Sequence, residues 1–195
     1  MKKVLLTLLA IVVVAAICVV GLASTKPNQM HIERSVDIAA PPAAVFAVVN
    51  DFHCFAEWSP WQDLDPAMKT DLSGAPNGRG AVYHWAGNDK AGEGRMTIDD
   101  STPDSHIGIL LEFLKPFAAT NRSDWTFKPA GAGTHATWSF DGPMNMMFKV
   151  MSVFMDLDKM TGDEYAKGLG KLKRLVESAQ PPAAPADSTA AKPRT

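Results

Sequence analysis

The chain contains two cysteines, too few and too far apart to hold its fold together. Cys18 lies in a long apolar run and Cys54 in a more polar region, so no disulfide between them is expected. The five histidines are scattered, and none of them forms a pair at the spacing of helical metal ligands. Asp63 and Asp65 share a loop, which is more typical of solvated turn residues than of a cation site. The sequence therefore predicts no disulfide, no metal site and no cofactor.

The chain also lacks an excess of charge of either sign, with 19 basic and 21 acidic residues. A nucleic-acid-binding domain usually carries a basic face or stripe, and the sequence contains no such cluster. It contains no internal repeat either. A nucleic-acid partner is therefore excluded from the expected functions.

The longest uncharged run follows Lys2 and Lys3 and covers residues 4–23. A helix of about 20 residues is roughly 30 Å long, which matches the hydrocarbon core of a bilayer. A cleavable signal peptide has a shorter apolar core, although Gly21 and Ala23 could form a weak cleavage site. A retained single-pass anchor is therefore favoured over a cleaved signal, which would release a secreted domain. The two lysines favour a cytoplasmic N-terminus and place the rest of the chain on the outer side, periplasmic or extracellular.

Three regions follow from these composition changes. Residues 1–25 are the predicted anchor or signal segment, and residues 26–179 are predicted to form one globular domain. Residues 180–195 are rich in proline and alanine and poor in large apolar side chains. Such a segment cannot bury a core, so a disordered tail is expected there.

The globular region begins with a strand and two short helices. Residues 30–38 alternate imperfectly between apolar and polar side chains, which is typical of a strand. Pro41 and Pro42 suit the start of a helix, and "FHCFAEW" (residues 52–58) predicts a second short helix that Pro60 ends. Six strand-like runs follow, each bounded by turn residues: "MKTDL", "AVYHWAG", "EGRMTIDD", "SHIGILLEFL", "TNRSDWTFKP" and "HATWSFDG". Short strands this close together in the sequence predict one antiparallel meander.

The last region has helical periodicity. Within residues 163–179 one apolar stripe runs along the predicted helix at steps of four and three, and it consists of Tyr165, Leu169, Leu172, Val176 and Ala179. Gly168 and Gly170 each destabilise a helix by about 1 kcal/mol relative to alanine. A small residue at 168 would either let the helix approach the sheet closely or leave room for a ligand between them.

This order of elements resembles the START-like helix-grip superfamily, also called SRPBCC or polyketide cyclase/dehydrase and lipid-transport-like. The matching stretches cover nearly all of residues 32–177: "VDIAAPPAAVFAVVNDF", "WSPW", "GRGAVYHWAG" followed by "GEGRMTI", "GTHATWSF" and "GDEYAKGLGKLKRLVE". Their combination looks like a bacterial branch of that superfamily. The resemblance implies an α+β helix-grip fold, in which a curved antiparallel sheet of about seven strands surrounds the long C-terminal helix. It implies no catalytic residue, because the fold hosts binders, transporters, cyclases and chaperone activators.

The alternation along the strands also predicts which side chains face the interior, since every second residue of a strand points to the same face. Aromatic and methionine side chains dominate that face, and methionine adapts to irregular space. A lining with few polar groups is typical of a small-molecule site. The residues expected to contact an apolar ligand are Trp58, Trp61, Tyr83, Trp85, Met96, Ile109, Phe113, Trp125, Trp138, Met147, Phe154 and Leu169.

The "WSPW" stretch places Trp58 and Trp61 on either side of a Ser-Pro pair. One interpretation is that both rings cover the open end of a ligand pocket, with Pro60 holding them in place. The other is that they plug the core at that end. The sequence does not separate these two alternatives.

Three functions remain open. The leading hypothesis is a membrane-tethered domain that binds or transfers a hydrophobic small molecule, either lipid-like or aromatic. The first alternative is a cyclase- or hydrolase-type enzyme, in which Tyr83, Glu93 or a histidine such as His84 transfers protons. The second alternative is an envelope or stress module that binds another protein. The sequence indicates no oligomeric state.

Overall fold

Buried and exposed side chains alternate along β3, β6 and β7, three members of a single seven-stranded antiparallel sheet. The computed structural model describes residues 1–179, so the predicted tail at 180–195 lies outside the described residues. The strands are β1 (Gln29–Ile38), β2 (Lys69–Gly74), β3 (Ala81–Ala86), β4 (Glu93–Thr102), β5 (His106–Lys115), β6 (Ala119–Ala130) and β7 (Gly133–Pro143). Their order across the sheet is β1-β7-β6-β5-β4-β3-β2. The six later strands therefore form the predicted meander, and β1 pairs with its last strand.

Five α-helices accompany the sheet within the described residues: α1 (Lys2–Ser24), α2 (Pro42–Val49), α3 (Phe55–Trp58), α4 (Met146–Phe154) and α5 (Leu157–Ala179). Short 3₁₀ turns precede and follow α3, at Phe52–Cys54 and Trp61–Asp63. The two short helices predicted after the first strand are present, and the α+β helix-grip class is confirmed. The methionine-rich segment forms α4, which Asn145 caps by accepting a hydrogen bond from the backbone N–H of Phe148 at 3.0 Å.

The apolar N-terminal run forms α1, which is long and apolar enough to cross a membrane. Its position at the N-terminus fits a signal sequence equally well. The helix packs against α4, and Ala23, near its C-terminal end, is buried. The remaining apolar side chains of α1 are largely exposed to the surroundings of the protein.

The long helix α5 lies across β1 and buries four of the five residues of the stripe that its periodicity predicts, while Ala179 at its end is exposed. Tyr165 and Leu169 are among the fully buried side chains of the protein. At the first end of α5, Arg34 of β1 pairs with Asp158 at 2.9 Å. At the other end, Glu177 accepts a hydrogen bond from the backbone N–H of Ala39 at 2.7 Å. These polar contacts fix the position of the helix along the sheet, while the buried stripe supplies most of the apolar contact.

Gly168 allows α5 to approach the sheet closely. A Cβ atom at this position would lie 2.9 Å from the ring of Trp138 and 3.0 Å from the ring of Pro60. Gly170, two residues later, has no such neighbour, since the nearest atom to a Cβ there is a nitrogen of Arg174 at 3.7 Å. Of the two roles considered for a small residue at 168, close packing is therefore the one found.

The two glycines provide a matched pair for a stability test. Gly170→Ala should stabilise the protein by up to about 1 kcal/mol, because alanine favours the helix and meets no close neighbour. Gly168→Ala should be less stable than Gly170→Ala by about 1–3 kcal/mol, because the added methyl group overpacks against Trp138 and Pro60. Urea unfolding of the full chain in detergent, followed by tryptophan fluorescence, measures both values. Equal stabilities of the two variants would contradict the close contact.

Candidate ligand-binding cavity

A column of stacked aromatic rings joins the sheet to α5. Trp125 of β6 and Trp138 of β7 are direct partners across the strand pair, and their rings stack with centroids 4.7 Å apart. On the other side of Trp138, Tyr165 of α5 stacks at 3.9 Å. Phe127 extends the column along β6 at 6.0 Å from Trp125. The β6–β7 hairpin and the later helix α5 are thus held together by one continuous set of ring contacts.

The two tryptophans of "WSPW" pack edge-on against this column. Trp58 meets both Trp125 and Trp138 with centroids 5.5 Å apart, at nearly perpendicular angles. Trp61 meets Trp138 at 5.7 Å and Tyr165 at 5.9 Å. Edge-to-face contacts of this kind are favoured by the charge distribution of aromatic rings. The Ser-Pro turn between them therefore serves to present two indoles to the same stack.

An inner cavity of ≈ 130 Å³ lies beside the column, between it and strands β3 to β5. Its floor consists of two rows across the sheet. Tyr83, Met96 and Leu111 are paired neighbours in one row, and Trp85, Gly94 and Phe113 are paired neighbours in the next. The other lining residues are Phe55, Trp61, Met68, Lys90, Ala91, Ser123, Trp138 and Tyr165. For comparison, an engineered cavity of about 150 Å³ in another protein holds a benzene ring.

Gly94 leaves space on the cavity floor for the ring of Trp85 to lie against the ring of Phe113. A Cβ atom at Gly94 would lie 2.4 Å from the ring of Trp85, so only glycine allows that indole to cross β4. The Trp85 ring then reaches Phe113 of β5, with centroids 5.8 Å apart. Its indole N–H donates a hydrogen bond to the carbonyl of Ala91 at 3.0 Å, which fastens the β3–β4 turn over the cavity.

An outer groove of ≈ 430 Å³ continues from the inner cavity towards α4. The two spaces share the lining residues Trp61, Leu111, Phe113 and Tyr165. Beyond this neck the groove is lined by Met147 and other side chains of α4, and by Phe117 in the turn between β5 and β6. The inner cavity and the outer groove therefore adjoin at this neck.

The predicted contact residues occupy three kinds of position. Those that line the inner cavity are Trp61, Tyr83, Trp85, Met96, Phe113 and Trp138, and Met147 lines the outer groove. Four others lie in the solid part of the core and line neither space: Trp58, Ile109, Trp125 and Leu169. Phe154 is 71% exposed and lies on the outside of α4.

The position of Trp58 corrects the expectation that both tryptophans cover the open end. Trp58 is only 2% exposed and is enclosed by the column and by Phe55, whose ring centroid is 4.9 Å away. Trp61 is half-buried and lies at the neck. One tryptophan of the motif thus plugs the core while the other lines the cavity, so each of the two alternatives holds for one ring.

Several lining residues were not predicted from the sequence. Leu111 and Tyr165 carried a usable signal, because alternation and helical periodicity both placed them on inward faces. Lys90, Ala91 and Phe117 belong to turns, where no periodicity indicates a direction. Their place in the lining depends on how the β3–β4 and β5–β6 turns fold back over the sheet.

Tyr83 carries the unusual polar group of the inner cavity. The residue is buried, and its hydroxyl has no hydrogen-bond partner among residues 1–179. Burial raises the pKa of Tyr83 to about 12, so the hydroxyl keeps its proton at neutral pH and can donate a hydrogen bond. A buried hydroxyl without a partner is destabilising by about 1–3 kcal/mol. Tyr83 thus places a hydroxyl without a partner among the side chains that form the cavity wall.

Two other polar groups of the lining, on Trp138 and Ser123, are hydrogen-bonded. The indole N–H of Trp138 donates to the hydroxyl of Ser123 at 2.8 Å, and that hydroxyl donates to the carbonyl of Ser139 at 3.1 Å. Burial raises the pKa of Tyr165 well above its usual value, and the nearby Ser123 hydroxyl reduces the shift. These groups hold the wall in place, and the Tyr83 hydroxyl is a buried group of the lining that has no partner within residues 1–179.

Residues 29–177, most of the chain, match the family described as polyketide cyclase/dehydrase and lipid transport. The chain belongs to this family. No curated protein matches it. The resemblance stated from the sequence motifs is therefore confirmed at the level of the family and its fold.

Solved structures with the same fold include three bacterial proteins. Protein MLL2253 from Mesorhizobium loti aligns with a TM-score of 0.57 and 15% identity, over 77% of this chain and 99% of its own. Protein CV1439 from Chromobacterium violaceum gives 0.55 and 15%, over 78% and 99%. The Aha1 dimer from Colwellia psychrerythraea gives 0.55 and 13%, over 76% and 96%. Identities this low show a shared fold and carry no information on activity.

Family membership leaves binding and catalysis both possible, so the position of the ionisable groups matters. Glu93 and His84, which were candidates for proton transfer, do not line the cavity. Glu93 pairs with Lys115 at 2.5 Å, and the hydrogen bond from Lys115 lowers the pKa of this carboxyl. Within residues 1–179, the inner cavity is lined by no carboxylate and no histidine. The ionisable side chains that line this cavity are Lys90, Tyr83 and Tyr165.

The "DLDP" loop supports the cavity from outside. Asp65, expected to be a solvated turn residue, is buried instead and accepts hydrogen bonds from the backbone N–H groups of Ala67 at 3.1 Å and Asn88 at 2.7 Å. Asp63 remains exposed and pairs with Lys171 at 2.6 Å. No cluster of possible metal ligands occurs in the described part of the chain. Asp65 is thus a structural acceptor that holds the β3–β4 turn.

The two aspartates should respond differently to removal of the carboxylate. Asp65→Ala should destabilise the protein by about 1–3 kcal/mol, because two partly buried backbone N–H groups lose their charged acceptor. Asp63→Ala, the control, should change stability by about 0–1 kcal/mol, because it removes an exposed ion pair. Hydrogen–deuterium exchange should accelerate at residues 87–92 in the Asp65 variant alone. Equal exchange in both variants would show that Asp65 does not hold the turn.

Proposed function

We propose that this protein is a membrane-tethered helix-grip domain that binds or transfers a hydrophobic small molecule, either lipid-like or aromatic. The observation that carries the proposal is the apolar inner cavity beside the aromatic column, which contains a buried hydroxyl without a partner, that of Tyr83, among the described residues. Small-molecule sites typically combine an apolar lining with a few placed polar groups. The two connected spaces meet this description.

The dimensions of the two spaces support a ligand with two parts. The inner cavity suits one ring or a short branched chain, since its volume is close to that of a cavity that holds benzene. The outer groove is about three times larger and is lined by flexible methionines, which adapt to varied apolar shapes. A molecule with a compact head in the inner cavity and a longer apolar part in the groove would fill both.

The Tyr83 hydroxyl supports a ligand whose compact part carries a hydrogen-bond acceptor. A neutral phenol donates well to a carbonyl or ether oxygen but does not act as a base while its pKa stays near 12. Binding such an oxygen would satisfy a buried donor that otherwise lacks a partner. A pure hydrocarbon of the same shape would leave the donor unsatisfied, and it should therefore bind more weakly.

The tether follows from α1, whose length and composition suit a single membrane crossing. Lys2 and Lys3 precede the helix, and positive charge usually remains on the cytoplasmic side. In this arrangement the domain lies on the outer side, next to the membrane. The ligand is then a molecule found at, or delivered to, that surface.

Ligand discrimination by Tyr83 can be tested with two molecules of matched shape, acetophenone and isopropylbenzene. Both molecules should raise the thermal stability of the full chain in phosphatidylcholine nanodiscs, because a ligand that binds the folded state stabilises it. Acetophenone should raise it more than isopropylbenzene does. Tyr83→Phe should lower the affinity for acetophenone about three- to ten-fold and leave isopropylbenzene unchanged. Without ligand, this variant should be at least as stable as the parent, because it removes an unsatisfied buried hydroxyl. Differential scanning calorimetry over a range of ligand concentrations measures all four affinities.

A pair of variants on β5 controls for partition of these molecules into lipid. Leu111 lies at the neck of the cavity, whereas Leu110 precedes it on the same strand and lines neither space. Leu111→Trp should fill the neck and abolish the stabilisation, and Leu110→Trp should preserve it. The proposed site would be overturned if either ligand still stabilised the Leu111→Trp variant. It would also be overturned if Tyr83→Phe lowered the affinity for both ligands equally.

The tether has a separate test in bacterial cells. The full chain should stay in the membrane pellet after an alkaline carbonate wash, and its intact mass should include residues 1–25. Substituting arginine for both Val12 and Val13 should release it, because each charge at the centre of a spanning helix costs about 2.5–3.5 kcal/mol. Protease added to spheroplasts should digest the domain while a cytoplasmic marker stays intact. A shorter mature chain in the soluble fraction would identify a cleaved signal instead.

A further inference from the structure

An exposed apolar surface borders the outer groove. On α4, Met147, Met151 and Phe154 are exposed and follow one another at steps of four and three, so they form one stripe along the helix. Phe117, in the turn between β5 and β6, is 58% exposed and lines the same groove as Met147 and Met151. Phe117, Met147 and Met151 line the groove, and Phe154 continues the α4 stripe beyond it. These four residues are here called the groove rim.

Some other exposed apolar side chains are close to this rim in sequence. Apart from Met1 and α1, the remaining large apolar side chains that are exposed within residues 1–179 are Leu114, Met146 and Met155, each within three residues of a rim residue, and Leu64, Leu72 and Met160, which are not. Contiguous apolar surface in a folded protein marks an interaction site. We therefore expect a binding partner to cover the groove rim.

The anchor helix indicates what that partner is. α1 packs against α4, the helix that carries the stripe. The segment just after α1 is tied to the same region, because the backbone N–H of Met144 donates to the carbonyl of Asn28 at 2.9 Å. The buried ammonium of Lys149, on α4, donates to the side-chain oxygen of Asn28 at 2.5 Å. α4 is therefore held at the point where the chain leaves the anchor.

We propose that the groove rim inserts into the outer surface of the lipid bilayer, so that the outer groove opens onto lipid rather than onto water. The proposal rests on the membrane tether proposed above. If α1 crosses the bilayer, its last turn lies at the membrane surface, and the helix packed beside it lies at the interface. A short helix with one apolar face is suited to that position. Phe117 then enters the same layer from the opposite side of the groove.

This placement limits where the ligand comes from. A molecule dissolved in the bilayer could pass from the acyl-chain boundary into the groove and on through the neck without crossing water. The partner of the rim is thus the lipid surface itself, and the ligand class is narrowed to molecules that partition into membranes.

Lipid contact can be measured on the full chain with fluorescent labels at single positions. Cys18 and Cys54 are first replaced by alanine, and single cysteines are introduced by Phe117→Cys, Met151→Cys or Leu72→Cys. Each labelled protein is reconstituted in phosphatidylcholine vesicles with and without phosphatidylcholine that carries a spin label near its headgroup. Labels at 117 and 151 should be quenched at least two-fold more strongly by the spin-labelled lipid than the label at 72. Leu72 is a matched control, because it is about as exposed as Met151 but lies on β2, at the far edge of the sheet.

Equal quenching at the three positions would overturn the proposal. Disulfide formation between two copies through position 151, with weak quenching by lipid, would overturn it too and assign the rim to a second copy of the chain. These readouts need no ligand, so they separate the rim from the binding site. A chain that stays in the membrane and binds acetophenone but shows equal quenching refutes the rim contact alone, whereas a chain released by carbonate refutes the tether and the rim together.

Discussion

The stack of Trp125, Trp138 and Tyr165 is the contact on which the rest of the interior depends. It joins two neighbouring strands to α5 through ring faces 4.7 Å and 3.9 Å apart. Rings stacked this closely leave no room between them, so this half of the interior is solid. Because the column stands over β6 and β7, the space between the sheet and the helix opens on the other side, over β3 to β5. The cavity is thus a consequence of where the largest side chains are concentrated.

Two glycines make this uneven packing possible. Gly168 brings α5 down onto Trp138, and Gly94 lets the ring of Trp85 cross β4 to Phe113. In each case a glycine faces the plane or edge of an indole, and a single added methyl group would push the ring away. The first glycine tightens the solid half of the core, and the second widens the usable floor of the hollow half. The same physical device, a missing Cβ beside a tryptophan, therefore serves packing in one place and cavity shape in the other.

The fold was predicted well because the periodicity of apolar residues indicates the helices and strands. The cavity lining was predicted less well, because periodicity shows which side chains face inward but not which of them pack in the core and which line a space. Alternation showed that Ile109, Leu111 and Phe113 share one face of β5, and the structure agrees. It could not show that Leu111 and Phe113 line the cavity while Ile109 lies in the solid core, since that depends on pairing register, which shifts twice along β4 and β5. Turn residues such as Phe117 gave no directional signal at all. Trp58 and Phe154 were expected in the cavity lining, but Trp58 lies in the core and Phe154 on the surface. The sequence does not separate these positions, because an apolar side chain is compatible with each of them.

The contrast between the two ends of the interior bears on how a ligand would move. At the inner end the large aromatic wall groups are fixed by hydrogen bonds or ring contacts, as those of Trp85, Trp138 and Tyr165 show. At the outer end the walls are methionines and an exposed phenylalanine, which have many rotamers and few fixed partners. In the binding function that we propose, selectivity would belong to the rigid inner cavity, and adaptability would belong to the groove. A ligand would then enter and leave through the methionine-lined groove, without disturbing the stacked column that holds the fold.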